Sequence, residues 1–325
     1  MAVTRVLGGK VVVTGAHGFI GRALCRHLSD KGIAYVATVR TLPPGDGDAN
    51  LAAVGDLAAA DWDEILEGVD AIVHLAGRAH VLRSGDASDP TPFVVANVHV
   101  TRRLCDAAAR AKVRRMVMAS TVKVYGESTR KGRPLRAGDP DAPRDAYALS
   151  KAEAERVLWQ ACTASSLEGV VLRLPLTYGA GVKGNFLSLI DAIAARRRLP
   201  LAGIGNRRSL LNVDNAVSAI VAALTAPGLA GQTLPIADQE SVSTSELVLR
   251  LGRALGVPAR VFHLPAPLLR AAAALANRSA VAARLLGSLE VDSDRFCELG
   301  GWTQPHTMEE GLASTAAWWR MRHAL

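Results

Sequence analysis

Residues 10–21 read KVVVTGAHGFIG, and this stretch decides the fold. Val11, Val12 and Val13 form a continuous β-branched run before Thr14, as in a strand buried on both faces. Gly15, Gly18 and Gly21 follow at three-residue intervals. Across residues 18–31, Ile20, Leu24 and Leu28 share one helical face. A strand, a glycine loop and a helix start, in that order, make a phosphate cradle. Gly15 permits the tight turn, Gly18 lets a pyrophosphate approach the backbone, and Gly21 lets the helix sit close to the strand. The spacing is GxxGxxG, not GxGxxG, and its physical demand is similar. The same loop can also be a strand-to-helix turn with no ligand, so the rest of the chain must decide.

Outward from the loop, AYVATV (34–39), AIVHLAG (71–77), RRMVMAS (114–120) and GVVLRL (169–174) are further apolar runs. Helical stretches lie between them, the longest around 91–111 and 146–166. This alternation predicts a parallel sheet covered on both faces, the doubly wound Rossmann-type α/β architecture. After Pro175 the pattern loosens into glycine-marked loops and helical pieces broken by proline. The expected division is a dinucleotide-binding domain over 1–175, rejoined by 211–238. A smaller, mainly helical substrate-binding lobe follows from 176–210 and 239–325, capping the C-terminal edge of the sheet.

With 325 residues, 49% of them hydrophobic, the chain can bury a large core. Cys25, Cys105, Cys162 and Cys297 form no CxxC pair, and the eight histidines show no ligand spacing. Neither a disulfide framework nor a metal site is expected, which suits a reducing cytoplasm. Residues 264–286 look membrane-like, but Pro265, Pro267, Arg270, Arg278 and Arg284 break any apolar span of about 18 residues. No membrane insertion is expected. The net charge of +8 comes mostly from scattered arginines without aromatic interleaving. It suits an anionic small ligand better than nucleic acid.

Individual residues sharpen the site. The second strand ends in Arg40 with no carboxylate, and an arginine there can pair with a 2′-phosphate or stand in solvent. Asp56 in GDL, beside Leu57, can meet an adenine amino group or cap a turn. Leu75, Ala76 and Gly77 of HLAG make a small-residue turn where a dinucleotide would pass. Tyr147 and Lys151 of YALSK stand at i and i+4 on one helix face. An ammonium beside a phenol stabilises the phenolate, so the pair can move a proton near neutral pH. Thr121 ends a strand, where its hydroxyl can reach a substrate oxygen.

Together these pieces resemble the extended short-chain dehydrogenase/reductases of the NAD-dependent epimerase/dehydratase family. The resemblance runs from TGAHGFIG through HLAG, STVKVYGE (120–127), YALSK and RLPLTYG (173–179) to LGGWTQP (299–305). It implies Thr121, Tyr147 and Lys151 as catalytic residues. It implies a cofactor held by Gly15, His17, Gly18, Phe19, Ile20, Arg40, Asp56, Leu57, Leu75, Ala76, Gly77, Asn97, Tyr147, Lys151 and Pro175. Arg40 favours NADP(H) over NAD(H). The resemblance further implies a UDP-sugar substrate, contacted by Thr121, Tyr147, Asn185 and Arg208, with Arg207 able to share the phosphate contact. A second phosphate-binding arginine has no clear counterpart in GSLEVDSD (287–294).

The expected reaction is reduction of the C4 ketone of a UDP-4-keto-6-deoxy-N-acetylhexosamine for surface-polysaccharide precursors. A UDP-sugar 4-epimerase with tightly bound NAD, acting on UDP-glucose or UDP-N-acetylglucosamine, is the alternative, and a non-catalytic dinucleotide-binding regulator is the third. Analogy with the family gives a homodimer formed through the helices around 91–111 and 146–166.

Overall fold

A computed structural model describes residues 9–42, 50–79, 89–130, 132–275 and 279–323. Its central sheet contains β1 (Lys10–Thr14), β2 (Tyr35–Val39), β3 (Leu51–Ala53), β4 (Val69–His74), β5 (Arg115–Thr121) and β6 (Glu168–Leu174). A seventh strand, Gln232–Pro235, pairs with β6. The spatial order is Gln232–Pro235, β6, β5, β4, β1, β2, β3, and every pairing is parallel. From β1 the chain winds outward to β2 and β3, then returns to β4 on the other side of β1. That reversal opens a crevice at the C-terminal ends of β1 and β4, where open α/β sheets hold ligands.

The connecting helices are α1 (Phe19–Asp30), α2 (Trp62–Ile65), α3 (Thr91–Phe93), α4 (Val100–Arg110), α5 (Ala146–Ala164), α6 (Gly184–Ala194) and α7 (Val213–Thr225). Alternation along β1 sends Val11 and Val13 to one face and Val12 to the other. On the first face they meet Leu24 and Leu28 of α1 and Val217 and Ile220 of α7. On the second, Val12 joins Leu104 of α4 and Leu158 of α5. Leu24, Leu28, Leu104 and Leu158 are fully buried, each stabilising the fold by about 1.5–3 kcal/mol.

The helix expected over 91–111 is interrupted: a π-helical segment, Val94–His99, separates α3 from α4. Such insertions often mark functional positions, and this one carries Asn97.

A third apolar cluster lies beyond the sheet edge. Phe186 and Ile190 of α6 pack there with Tyr178, Leu251, Met308 and Leu312. Tyr178 and Phe186 stack at 5.5 Å between ring centroids. Asp238 joins this cluster to the sheet. It accepts hydrogen bonds from Asn212 N (3.0 Å), Asn215 Nδ2 (2.7 Å) and the Tyr178 hydroxyl (3.2 Å). Residues 264–286 contain the helices Ala266–Leu275 and Ser279–Leu286. No helix among the described residues is long and apolar enough to cross a membrane.

Candidate active site

The glycine loop folds as its spacing predicts. Gly15 has φ +72°, and a Cβ there would lie 2.7 Å from Ala76 N. A Cβ on Gly21 would lie 2.2 Å from Gly15 O, so α1 can approach the loop only through a glycine. Gly18 is the N-cap of α1 and offers no capping side chain. The first amide groups of α1 are therefore available to an anion, and the helix dipole favours one. His17 and Gly18 are exposed, while Phe19 reaches the third apolar cluster. The cradle fits a pyrophosphate-bearing cofactor.

A cleft opens beside it, lined by Ile20, by Leu75, Ala76 and Gly77 after β4, and by Ala119, Ser120 and Thr121 of β5. Leu174 and Pro175 at the end of β6 and Tyr147 and Lys151 of α5 complete its walls. Residues from the glycine loop, HLAG, STVKVYGE and YALSK thus converge on one cavity. Asp145 caps α5, accepting from Ala148 N at 2.7 Å. Lys123, in the turn after β5, pairs with Asp145 and so fixes Thr121 and Tyr147 relative to each other.

Tyr147 and Thr121 line the cleft together. Burial pushes the phenol up to about 12, against the opposing pull of the Thr121 hydroxyl, so it is a protonated acid at neutral pH. The lowering expected of Lys151 does not appear: burial raises the phenol, and the opposing pull comes from Thr121. Burial pushes Lys151 down to about 8, opposed by the Glu155 carboxylate one turn along α5.

His74 holds the crevice together. Its Nδ1 lies 2.7 Å from Thr14 Oγ1 and its Nε2 lies 3.1 Å from Thr101 Oγ1. Burial, aided by the Lys151 charge, pushes it down to about 3, so the ring is neutral. Asn97 is fully engaged by protein groups. Its Oδ1 accepts from Arg78 N (2.7 Å), and its Nδ2 donates to Arg78 O (3.1 Å) and Ser150 Oγ (2.8 Å). It therefore shapes the turn after β4 and ties that turn to α5.

Other predicted residues lie outside the cleft wall. Asp56 Oδ1 accepts from Ala58 N at 3.0 Å, capping the turn after β3, and Leu57 packs on the second face of the sheet. Asn185 is exposed in the first turn of α6. Arg208 donates from Nη1 to the carbonyls of Arg284 (2.8 Å) and Gly287 (3.1 Å). Burial and the neighbouring Arg284 charge both push the Arg208 guanidinium down. Arg207 faces Glu290 at 3.6 Å. Arg284, three residues before GSLEVDSD, stands beside Arg208.

Sequence reasoning also missed a buried network beneath the cleft. Glu155 meets Arg173 of β6, whose Nη2 donates to Glu155 Oε2 at 2.5 Å, and Ser120 Oγ donates to Glu155 Oε1. A charged residue inside the buried strand run GVVLRL was the available signal.

The family model of the NAD dependent epimerase/dehydratase family matches residues 11–237. The chain is 35% identical to a protein named UDP-glucose 4-epimerase from Vibrio cholerae, over 96% of each chain. It is 29% identical to dTDP-6-deoxy-L-talose 4-dehydrogenase (NAD(P)(+)) from Kitasatospora kifunensis, over 82% of this chain and 86% of that one. The solved structure of MoeE5 in complex with UDP-glucuronic acid and NAD is 27% identical, with a TM-score of 0.77 over 98% of this chain and 100% of that one.

These findings overturn the preference for NADP(H). MoeE5 holds NAD, with UDP-glucuronic acid and again with UDP-glucose. Arg40 is an exposed side chain just beyond β2, and its described bond is through the backbone, its carbonyl accepting from Gly55 N at 3.1 Å. A solvated guanidinium at a strand end does not by itself select a phosphorylated ribose. The chain is an enzyme and belongs to the NAD-dependent epimerase/dehydratase family.

Proposed function

We propose that this enzyme carries out NAD(H)-dependent redox chemistry at C4 of a UDP-sugar, with reduction of a UDP-4-keto-6-deoxy-N-acetylhexosamine as the net reaction. The observation that carries the reading is the convergence of Thr121, Tyr147 and Lys151 on one cleft, with the Tyr147 phenol kept protonated by burial. NAD(H), when bound, supplies the hydride chemistry. Gly15, Gly18 and the first turn of α1 would seat its pyrophosphate, with His17, Phe19 and Ile20 along the loop. Leu75, Ala76, Gly77 and Pro175 would contact it at the sheet edge, and Asp56 and Leu57 would hold its adenine.

The reacting groups divide the work. Thr121 donates a hydrogen bond to the C4 oxygen and polarises it. Tyr147 gives its phenolic proton to that oxygen as negative charge develops. Lys151, cationic below about pH 8, stabilises the phenolate that remains. Asn97 acts as a positioning residue, holding the turn after β4 against α5.

Arg208 and Arg284 form a two-cation seat for the UDP diphosphate, with Asn185 beside the nucleotide. A buried guanidinium pushed down by its burial and by a neighbouring guanidinium gains from a dianion between the two. The lobe that carries this seat comprises 176–210 and 239–325, and the dinucleotide-binding part comprises 1–175 and 211–238. The relative named dTDP-6-deoxy-L-talose 4-dehydrogenase supports chemistry at a 6-deoxy sugar. Such a product would enter surface-polysaccharide precursor synthesis in the cytoplasm. A homodimer through the α4 and α5 surfaces fits the exposed Leu149 on α5 and the exposed Val95 in the π-helical segment.

A second reading is 4-epimerisation of a UDP-hexose, favoured by the 35% identity to the Vibrio protein. Two incubations separate the readings. NADH with the 4-keto UDP-sugar should be oxidised at the nicotinamide absorbance band. UDP-glucose or UDP-N-acetylglucosamine with NAD should stay unconverted by chromatography. Epimer formation without net cofactor change would replace the reductase reading.

A further inference from the structure

We infer that Glu155 and Arg173 are a positioning pair that fixes the charge of Lys151 from beneath the cleft. The inference rests on the reading of Lys151 as a working group of the site. Glu155 and Lys151 stand four residues apart on α5, so their side chains share one helix face. Each is 4% exposed. Glu155 is gripped from β6 by Arg173, itself 4% exposed, through Nε at 3.1 Å to both carboxylate oxygens and through Nη2 at 2.5 Å. From β5, Ser120 donates to the same carboxylate. Ser120 is also a cleft residue and the chain neighbour of Thr121. Behind the pair, Arg173 Nη1 donates to Asp141 at 2.7 Å, and the Tyr125 ring covers the guanidinium at 4.2 Å.

The charges around Lys151 can be counted. On α5 it faces Glu155 and the neutral Tyr147 phenol. On β4 it faces His74, neutral at its burial. On β6 stands Arg173, with Asp141 beyond it. The buried Glu155 and the half-exposed Asp141 thus share one guanidinium, and a cationic Lys151 balances the carboxylate charge that remains. Burial alone drives a lysine toward the neutral amine; Glu155 opposes that drive. A pair that merely stapled α5 to β6 would be a poor device, because burying two charges costs about as much as their attraction returns. Its bond to Ser120 and its place one helical turn from Lys151 give it a task at the site.

Arg173 and Glu155 then act in opposite directions. Removing the carboxylate leaves Lys151 facing an uncompensated guanidinium and lowers its titration midpoint. Removing the guanidinium leaves the carboxylate to Lys151 and raises the midpoint. A purely structural pair predicts no such opposition.

The test is an NMR titration of the Lys151 side chain in the full-length protein without substrate, using labelled lysine and assigning the signal by its loss in Lys151→Met. Glu155→Gln should lower the midpoint by about one pH unit or more, and Arg173→Met should raise it by a similar amount. The double variant Glu155→Gln/Arg173→Met removes both members of the pair together. Its midpoint should lie below that of Arg173→Met, a comparison that isolates the carboxylate even if Glu155→Gln alone does not fold. Unmoved midpoints, shifts of the same sign in both single variants, or a double variant equal to Arg173→Met would overturn the inference. Because the readout needs no turnover, it stands apart from the choice of sugar. An inactive enzyme with opposite shifts would refute the proposed reaction and leave this pair intact.

Discussion

Thr14 Oγ1 and His74 Nδ1 meet at 2.7 Å, joining the last residues of β1 and β4 where the sheet order reverses. Thr14 Oγ1 also accepts from Ala76 N at 3.2 Å. The crevice floor is therefore a hydrogen-bonded unit whose imidazole must be neutral.

This gives a stability prediction. The folded His74 is held at about 3, against an ordinary value of 6.5. As pH falls, the unfolded chain takes up this proton first. The contribution is present above pH 6.5 and is lost progressively as pH falls toward 3, by at most about 1.4 kcal/mol per pH unit. Urea unfolding of wild type and His74→Gln between pH 7 and 5 should show the steeper loss in wild type. Equal slopes would mean that the imidazole is not held neutral.

Gly21→Ala tests the cradle. The added methyl would lie 2.2 Å from Gly15 O and 2.8 Å from Ala16 Cα, so α1 must move away from the loop. The expected cost is about 1–3 kcal/mol of stability, with NAD affinity reduced at least about tenfold. Calorimetry of unfolding and of NAD binding reads both. Gly32→Ala is the control for NAD affinity alone: its φ of +64° makes an alanine strained, but no atom beyond its chain neighbours lies within 4 Å of its Cβ position and it is not a cleft residue.

Arg208 and Arg284 are predicted to share one dianion. Arg284→Ala should weaken UDP binding about tenfold or more, consistent with loss of one charge-assisted contact of about 1.5–3 kcal/mol. Arg208→Ala should do the same, with some loss of stability from its bonds to residues 284 and 287. Titration calorimetry with UDP measures this. Unchanged affinity in Arg284→Ala would remove that residue from the diphosphate seat.

Turnover should fall as pH rises through about 8, because Lys151 loses its proton there and the phenolate it would stabilise is left unsupported. The Tyr147 phenol, up at about 12, stays protonated throughout that range. A kcat that is flat from pH 7 to 10 would show that the Lys151 charge is not required.

Much of this site was legible in the sequence because it lies where local patterns are strict. Gly15 and Gly21 occupy positions that tolerate no Cβ, and Tyr147 and Lys151 share a helix face by spacing alone. The less legible parts depend on distant contacts. The π-helical segment around Asn97 arises within an otherwise ordinary helical pattern. Glu155 and Arg173 are separated by 18 residues and meet only because α5 packs across β5 and β6. Arg284 lies on a helix whose approach to Arg208 is set by the clasp of Asn206 on the carbonyls of Leu285 and Gly287. The strand Gln232–Pro235 is short, and its place at the sheet edge follows from pairing with β6. Arg40 misled because a cation at a strand end has the same sequence whether it meets a phosphate or water.

The most direct test of the proposed reaction follows the hydrogen itself. The enzyme is incubated with NADH carrying deuterium at the transferable position and with the UDP-4-keto-6-deoxy-N-acetylhexosamine. Mass spectrometry and NMR then locate the label in the sugar. The account predicts one deuterium at C4 per NADH oxidised, with Tyr147→Phe slowing the transfer about a hundredfold or more while NAD binding persists. A sugar that gains no deuterium at C4, or a Tyr147→Phe enzyme that transfers it at the wild-type rate, would contradict the account.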